Sequence, residues 1–214
     1  MLLMPMLYLP PIAYMALLHA AGEVCIEAQE NYIKSCYRNR CEVMGPNGII
    51  DLSIPVRGGR DHHQLYMGTA IAYDSDWQHR HYMSILSCYG SAPFYEHYMS
   101  YLKPFYEKKH TNLFEYNKEL LELLIRLLKL EVKLTYTDMY EKHPDGKTDL
   151  RNTFKPGRSL DGFIMDDRKW YLKEVSYMRV FDSEDHSLNI SSLDLLFNEG
   201  PQSKNILQQM IVAV

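Results

Sequence analysis

The stretch NLFEYNKELLELLIRLLKLEVKLTYT, residues 112–137, decides the fold. Its first part reads as the clearest helix of the chain, and EVKLTYT (131–137) directly after it reads as a strand, so one helix-to-strand step is complete. Upstream, 94–130 predicts two helices parted near Lys108 to Thr111, with Pro104 at a bend or a first turn. WQHRHYMSILSCYG carries apolar or aromatic residues at 77, 82, 85, 86 and 89, a helical pattern ending at Gly90. RGGRDHHQ (57–64) predicts an exposed loop, and Tyr66 to Tyr73 a strand. Residues 41–56 predict a hairpin about a GPNG turn. EVCI at 23–26 predicts a strand, preceded by a buried helix in IAYMALLHAA. Downstream, 141–168 reads as a long polar loop, and SSLDLLFNEGPQSKNILQQMIVAV as a capped helix, a Gly-Pro break and a second helix. Strands alternating with helices predict an α/β layered domain with an inserted β-hairpin and a helix-rich middle at about 77–130. One domain over 1–214 is the expectation from length.

With 46% hydrophobic residues the chain can bury a sizeable core. The 23 basic against 27 acidic side chains leave a net charge of -4, which disfavours nucleic acid and anionic lipid as partners. Cys25, Cys36, Cys41 and Cys88 show neither zinc-ribbon pairing nor the density of a disulfide scaffold, so free thiols in a reducing cytoplasm are expected. The first 22 residues carry no Lys, Arg, Asp or Glu. They also lack a basic start and are interrupted by Pro5, Pro10 and Pro11, so neither a leader nor a membrane span is expected.

YIKSCYRNR (32–40) concentrates Lys34, Arg38 and Arg40 among Tyr32, Tyr37 and Asn39. Lysine supplies a compact charge and arginine a planar fork, which suits phosphate or carboxylate. If extended, the segment puts Lys34, Arg38 and Arg40 on one side; on spacing alone a solvated edge strand explains it as well. His62, His63, His79 and His81 have no partner at a convincing metal-ligand spacing, and no metal is expected. Asp194 and Asn198 share a helical face one turn apart, a ligand contact or an internal hydrogen bond. No GxSxG, GxGxxG or P-loop is present.

YLPPIAYM (8–15), ENYIKSCYRNRCEV (30–43), LSIPV (52–56), the W-x3-H-x2-S-x4-Y-x3-PF block from Trp77 to Phe94, and S-x2-DLLFNEGP from Ser191 to Pro201 together resemble the WbqC-like protein family, in its Bacteroidetes-type form. The resemblance implies a cytoplasmic bacterial protein of surface-polysaccharide (O-antigen) biosynthesis. The family's shared positions fall on Tyr8, Pro10, Tyr14, Lys34, Asn39, Arg40, Trp77, His81, Tyr89, Asp194 and Asn198. Relatives often carry two Asp where Ala28 and Gln29 stand, so Glu27 or Glu30 must supply any acid needed there, or the step is lost. Relatives also tend to carry Gln and Trp where Pro5 and Pro11 stand.

The expected function is an enzyme that holds an anionic activated sugar, such as a nucleotide sugar, or an acyl intermediate, with group transfer as the reaction class. Lys34 and Arg40 would meet the anion, and Tyr32 would stack on a ring. Tyr37 is the alternative to Tyr32 for that stacking; Tyr8, Asn39, Trp77 and Asn198 would complete the ligand site, and His81 or Asp194 would move the proton. The cofactor is undetermined. The alternative is a non-catalytic binding or accessory protein of an envelope pathway.

Overall fold

In the computed structural model, the described residues are 1–58, 64–158, 160, 164–165, 170–181 and 188–213. Most of the RGGRDHHQ loop, His62 and His63, and the paired acids Asp166 and Asp167 lie outside them. The core is a four-stranded parallel sheet built from β1 (Leu2–Pro5), β2 (Glu23–Glu27), β5 (Lys133–Tyr136) and β6 (Thr148–Asp149), in the order β5-β2-β1-β6. Helices flank it, giving the expected Rossmann-like layered fold. The chain runs outward from β1 through β2 to β5, then returns to the other side of β1 as β6. At such a reversal the loops after the neighbouring strands part, leaving a crevice at the carboxyl edge.

Helix α1 (Ile12–Ala21) makes the β1-to-β2 crossover, and its residues 12–18 are buried on every side, as its uniformly apolar sequence requires. It packs against the closing pair α5 (Ser192–Glu199) and α6 (Ser203–Met210). Between those two, Gly200 takes φ +51°, and a Cβ there would meet the Phe94 ring at 2.6 Å, which is why the break needs glycine. The hairpin of β3 (Arg40–Gly45) and β4 (Gly48–Ser53) turns through Pro46 and Asn47. It is tied to α2 (Trp77–Tyr89), whose Tyr89 hydroxyl accepts from the Met44 N–H at 3.0 Å. After α3 (Tyr95–Glu107) comes α4 (Leu113–Leu127), where the Asn112 side chain caps the Glu115 N–H at 3.0 Å. A small antiparallel sheet, β7 (Ile164–Met165), β8 (Trp170–Leu172) and β9 (Ile211–Ala213), fastens the C-terminus.

Three local expectations are corrected. Tyr66–Gly68 is a single 3-10 turn rather than the start of a strand, because the Tyr66 side chain turns into the core and donates to the Met6 and Arg38 carbonyls. The loop assigned to 141–168 contains β6, a full member of the central sheet. Residues 32–39 are not a strand either: Ser35 has φ +54°, the backbone turns, and Lys34 and Arg38 end up in opposite environments, one exposed and one buried. The four cysteines are free, as expected, and all are buried.

A buried ion pair holds the carboxyl edge together. Arg151 Nη1 donates to Glu27 Oε2 at 2.9 Å, with the two side chains 3% and 1% exposed. Breaking such a pair strands a charge in the interior and costs about 3 kcal/mol or more. Glu27→Ala is therefore expected to lower unfolding free energy in urea by ~3 kcal/mol. Lys133→Ala, which removes the exposed pair with Glu23, should change it by no more than ~0.5 kcal/mol. A loss for Glu27→Ala as small as that of Lys133→Ala would contradict the assignment.

Candidate functional site at the carboxyl edge of the sheet

Glu27 ends β2, Thr137 follows β5, and Asp149 and Arg151 bracket the end of β6, so the carboxyl ends of three strands meet. Glu27 Oε1 accepts from the Thr137 hydroxyl at 2.6 Å and the Gln29 N–H at 2.8 Å, while Oε2 takes Arg151. Arg151 also grips Asp149 with Nε at 2.9 Å and Nη2 at 2.7 Å, and its guanidinium lies 4.8 Å from the Tyr140 ring centre. Against the cost of burial, the hydrogen bonds from Arg151 hold the Asp149 carboxyl below its ordinary pKa.

Beside this group Arg38 makes a two-pronged pair with Glu30, Nε to Oε1 at 2.7 Å and Nη2 to Oε2 at 2.6 Å. Its Nη2 also reaches the Arg151 carbonyl at 3.3 Å, so the two ion-pair groups are linked. Burial pushes the Glu30 carboxyl above its ordinary pKa, against the pull of Arg38. Over these groups opens a pocket of about 300 Å³ whose wall includes Gln29, Glu30, Asn31, Tyr140, Arg151 and Asn152. Ile33, exposed, lies at its edge, and Lys34 is the next residue, exposed and without a partner among the described residues. The rest of the 32–40 segment is anchored from below. Asn117 on α4 donates to the Arg38 carbonyl and the Tyr66 hydroxyl, both at 2.7 Å, and Tyr32 packs against Tyr66.

A second buried group lies under the helices. Tyr8, in the loop after β1, has its hydroxyl 3.0 Å from His81 Nδ1 and 3.2 Å from the Tyr106 hydroxyl, and Trp77 packs edge-on against His81. Tyr106 reaches the wall of a separate groove of about 410 Å³ between α2 and α3. Burial lowers the His81 pKa from 6.5 to about 4, against the pull of the Ser53 backbone carbonyl, so the ring is neutral at pH 7. Asn39 and Arg40 stand near by. Asn39 Nδ2 donates to the Ile54 carbonyl at 2.8 Å, and Arg40 pairs with Ser53 across the hairpin, half-buried, its Nε without a hydrogen-bond partner among the described residues.

The sequence profile of the WbqC-like protein family matches residues 6–156, which include both groups. The chain belongs to this family. It is also 26% identical, over 94% of each chain, to "Uncharacterized protein Rv1507c" of Mycobacterium tuberculosis (strain ATCC 25618 / H37Rv). No solved structure matches it significantly.

The C-terminal block with Asp194 and Asn198 lies beyond the matched span of this WbqC-like chain. Asp194 is buried, accepts from the Tyr177 hydroxyl, and sits 3.3 Å from Arg179 Nε. Burial raises its pKa against those two partners. Asn198 donates to the Asp194 carbonyl at 2.7 Å and accepts from the Val180 N–H at 3.2 Å, so the two residues dock the 177–180 segment onto α5. Tyr89, whose pKa is raised by burial and then by Asp194, stands eight residues past His81 on α2, or about 12 Å along the axis. Of the residues expected at one site, the structure thus brings together Tyr8, Trp77 and His81, sets Asn39 and Arg40 beside them, leaves Lys34 exposed next to Ile33 of the edge pocket, and leaves Asp194 and Asn198 apart. Sequence reasoning passed over Tyr140, Asp149 and Arg151, and read Arg38 only as one of the three cations of YIKSCYRNR. The one signal for the edge pocket was the pair of acids, Glu27 and Glu30, on either side of Ala28 and Gln29. Among the described residues no group of three or more His, Cys, Asp or Glu is placed to hold a metal ion, and no helix is long and apolar enough to cross a membrane.

Burying His81 in its neutral form links stability to pH. The unfolded chain protonates near pH 6.5 and the folded one only near 4, so this contribution is complete above pH 6.5 and is lost as pH falls toward 4. The span corresponds to about 3 kcal/mol. Urea midpoints of the wild type should fall across this window, and those of His81→Phe should fall much less; parallel curves for the two would contradict the buried neutral ring.

Proposed function

We propose that this WbqC-like protein is an enzyme of bacterial surface-polysaccharide (O-antigen) biosynthesis that binds an anionic activated sugar and transfers a group to or from it. The observation that carries the reading is the wall of the carboxyl-edge pocket. Amides from Gln29, Asn31 and Asn152, a carboxyl from Glu30 and a guanidinium from Arg151 offer donors and acceptors to several hydroxyls at once, and the face of Tyr140 offers a ring a flat apolar surface. The pocket lies where an open parallel sheet reverses its winding, the place where such sheets take ligands. Lys34, next in sequence to the lining residue Ile33, is the cation for the activating anion. Glu30 is the proton-transfer group of this reading: it lines the pocket, and burial raises its pKa above the ordinary value against the pull of Arg38. An acyl intermediate would use the same anion contact but would leave the amides of the wall without partners.

A second reading, an accessory protein that binds without turnover, is favoured by the ion pairing of both charged groups of the wall, Glu30 with Arg38 and Arg151 with Glu27 and Asp149. Calorimetric titration of nucleotide sugars against wild type, Tyr140→Ala and Lys34→Ala tests the site. Each variant should bind about tenfold more weakly, a difference of about 1.4 kcal/mol. Equal affinity for all three proteins would sink the assignment. Consumption of the bound donor, followed by phosphorus NMR with added acceptors, separates the enzyme from the accessory protein.

A further inference from the structure

The charges around the edge pocket are unbalanced in a way that bears on its ligand. Three carboxylates, Glu27, Glu30 and Asp149, face two guanidiniums, Arg38 and Arg151, so the linked group carries one negative charge in excess. Both guanidiniums are already neutralised by carboxylates, and four of the five N–H groups of each are committed. Arg151 gives its N–H groups to Glu27, Asp149 and the Lys142 carbonyl, and Arg38 gives its own to Glu30, Cys36 Sγ and the Arg151 carbonyl. The wall is completed by neutral amides. Lys34, exposed and next in sequence to the lining residue Ile33, is a cation beside the pocket that no carboxylate neutralises among the described residues. A ligand with an anionic and an uncharged or cationic part is therefore oriented: the anion stays out at Lys34 and the ring goes in.

From this arrangement we infer that the pocket selects a neutral or amino sugar and rejects a uronic acid, with the phosphate of the activated donor held outside at Lys34. The inference rests on the reading of this pocket as a sugar site and adds its substrate class. A ring carboxylate would be brought against Glu30, whose guanidinium partner is already neutralised, and among the pocket's lining residues the other cation, Arg151, is paired as well. A ring ammonium would meet the excess negative charge. At a few ångströms near a protein surface, one unit charge against another alters affinity by tenfold or more.

The test titrates the full-length protein with glucosamine 1-phosphate, glucose 1-phosphate and glucuronic acid 1-phosphate at one pH and ionic strength. Affinity should fall in that order, with the uronate at least tenfold weaker than glucose 1-phosphate. Lys34→Ala should weaken all three by a similar factor and keep the order. Asn152→Lys adds a cation at an exposed wall position without touching the buried pairs, and should reduce the discrimination against the uronate to less than threefold or reverse it. Uronate binding as tight as glucose 1-phosphate in the wild type would overturn the selectivity and leave the sugar site standing. A change of order in Lys34→Ala would overturn the orientation. Failure of all three compounds to bind would overturn the sugar-site reading and the inference together.

Discussion

Glu27 and Arg151 are 124 positions apart and meet in the interior at 2.9 Å. Around that contact the carboxyl edge is assembled. One oxygen of Glu27 holds Thr137 and so the end of β5, the other holds Arg151 and so the end of β6, and Glu27 itself closes β2. A buried ion pair adds little net stability compared with an apolar packing of the same volume, because desolvation offsets most of its Coulombic gain. Its value lies in directionality. Each oxygen is committed to a stated partner, so three loops that would otherwise be free at the top of a sheet are held in one arrangement, and Arg151 presents its side to the pocket under Tyr140.

The parts of the fold that follow from local periodicity were legible in the chain. The helix at 113–127, the GPNG hairpin and the helix-to-strand step into β5 lie within about three residues of where the pattern puts them. The parts set by long-range partners were not. A two-residue strand such as β6 has no periodicity to read, and its place beside β1 depends on register with Leu2 and Leu3 far upstream. An extended YIKSCYRNR would put its three cations on one side, but Ser35 turns the chain and Glu30 draws Arg38 inside, so charges that look equivalent in sequence separate into a buried structural pair and an exposed Lys34 without a partner among the described residues.

The same reasoning explains how the residues expected at one site came apart. His81 and Tyr8 form a neutral, buried polar contact at the α2 end of the core, whereas Asp194 and Asn198 spend their polar groups on docking the 177–180 segment. Family membership places the chain among the WbqC-like proteins through residues 6–156, a span that includes Glu27, Glu30, Arg38 and Arg151. In the proposed function, these four residues prepare the pocket, Tyr140 and the amides meet the ring, and Lys34 meets the anion.

The central claim is that the Glu27–Arg151 pair serves the arrangement of the pocket more than the stability of the fold. The double replacement Glu27→Met with Arg151→Met removes both charges together and fills the space with apolar side chains. The account predicts unfolding free energy within ~1 kcal/mol of the wild type, with calorimetric binding of glucose 1-phosphate reduced at least tenfold. Retained affinity in a stably folded double variant would contradict it.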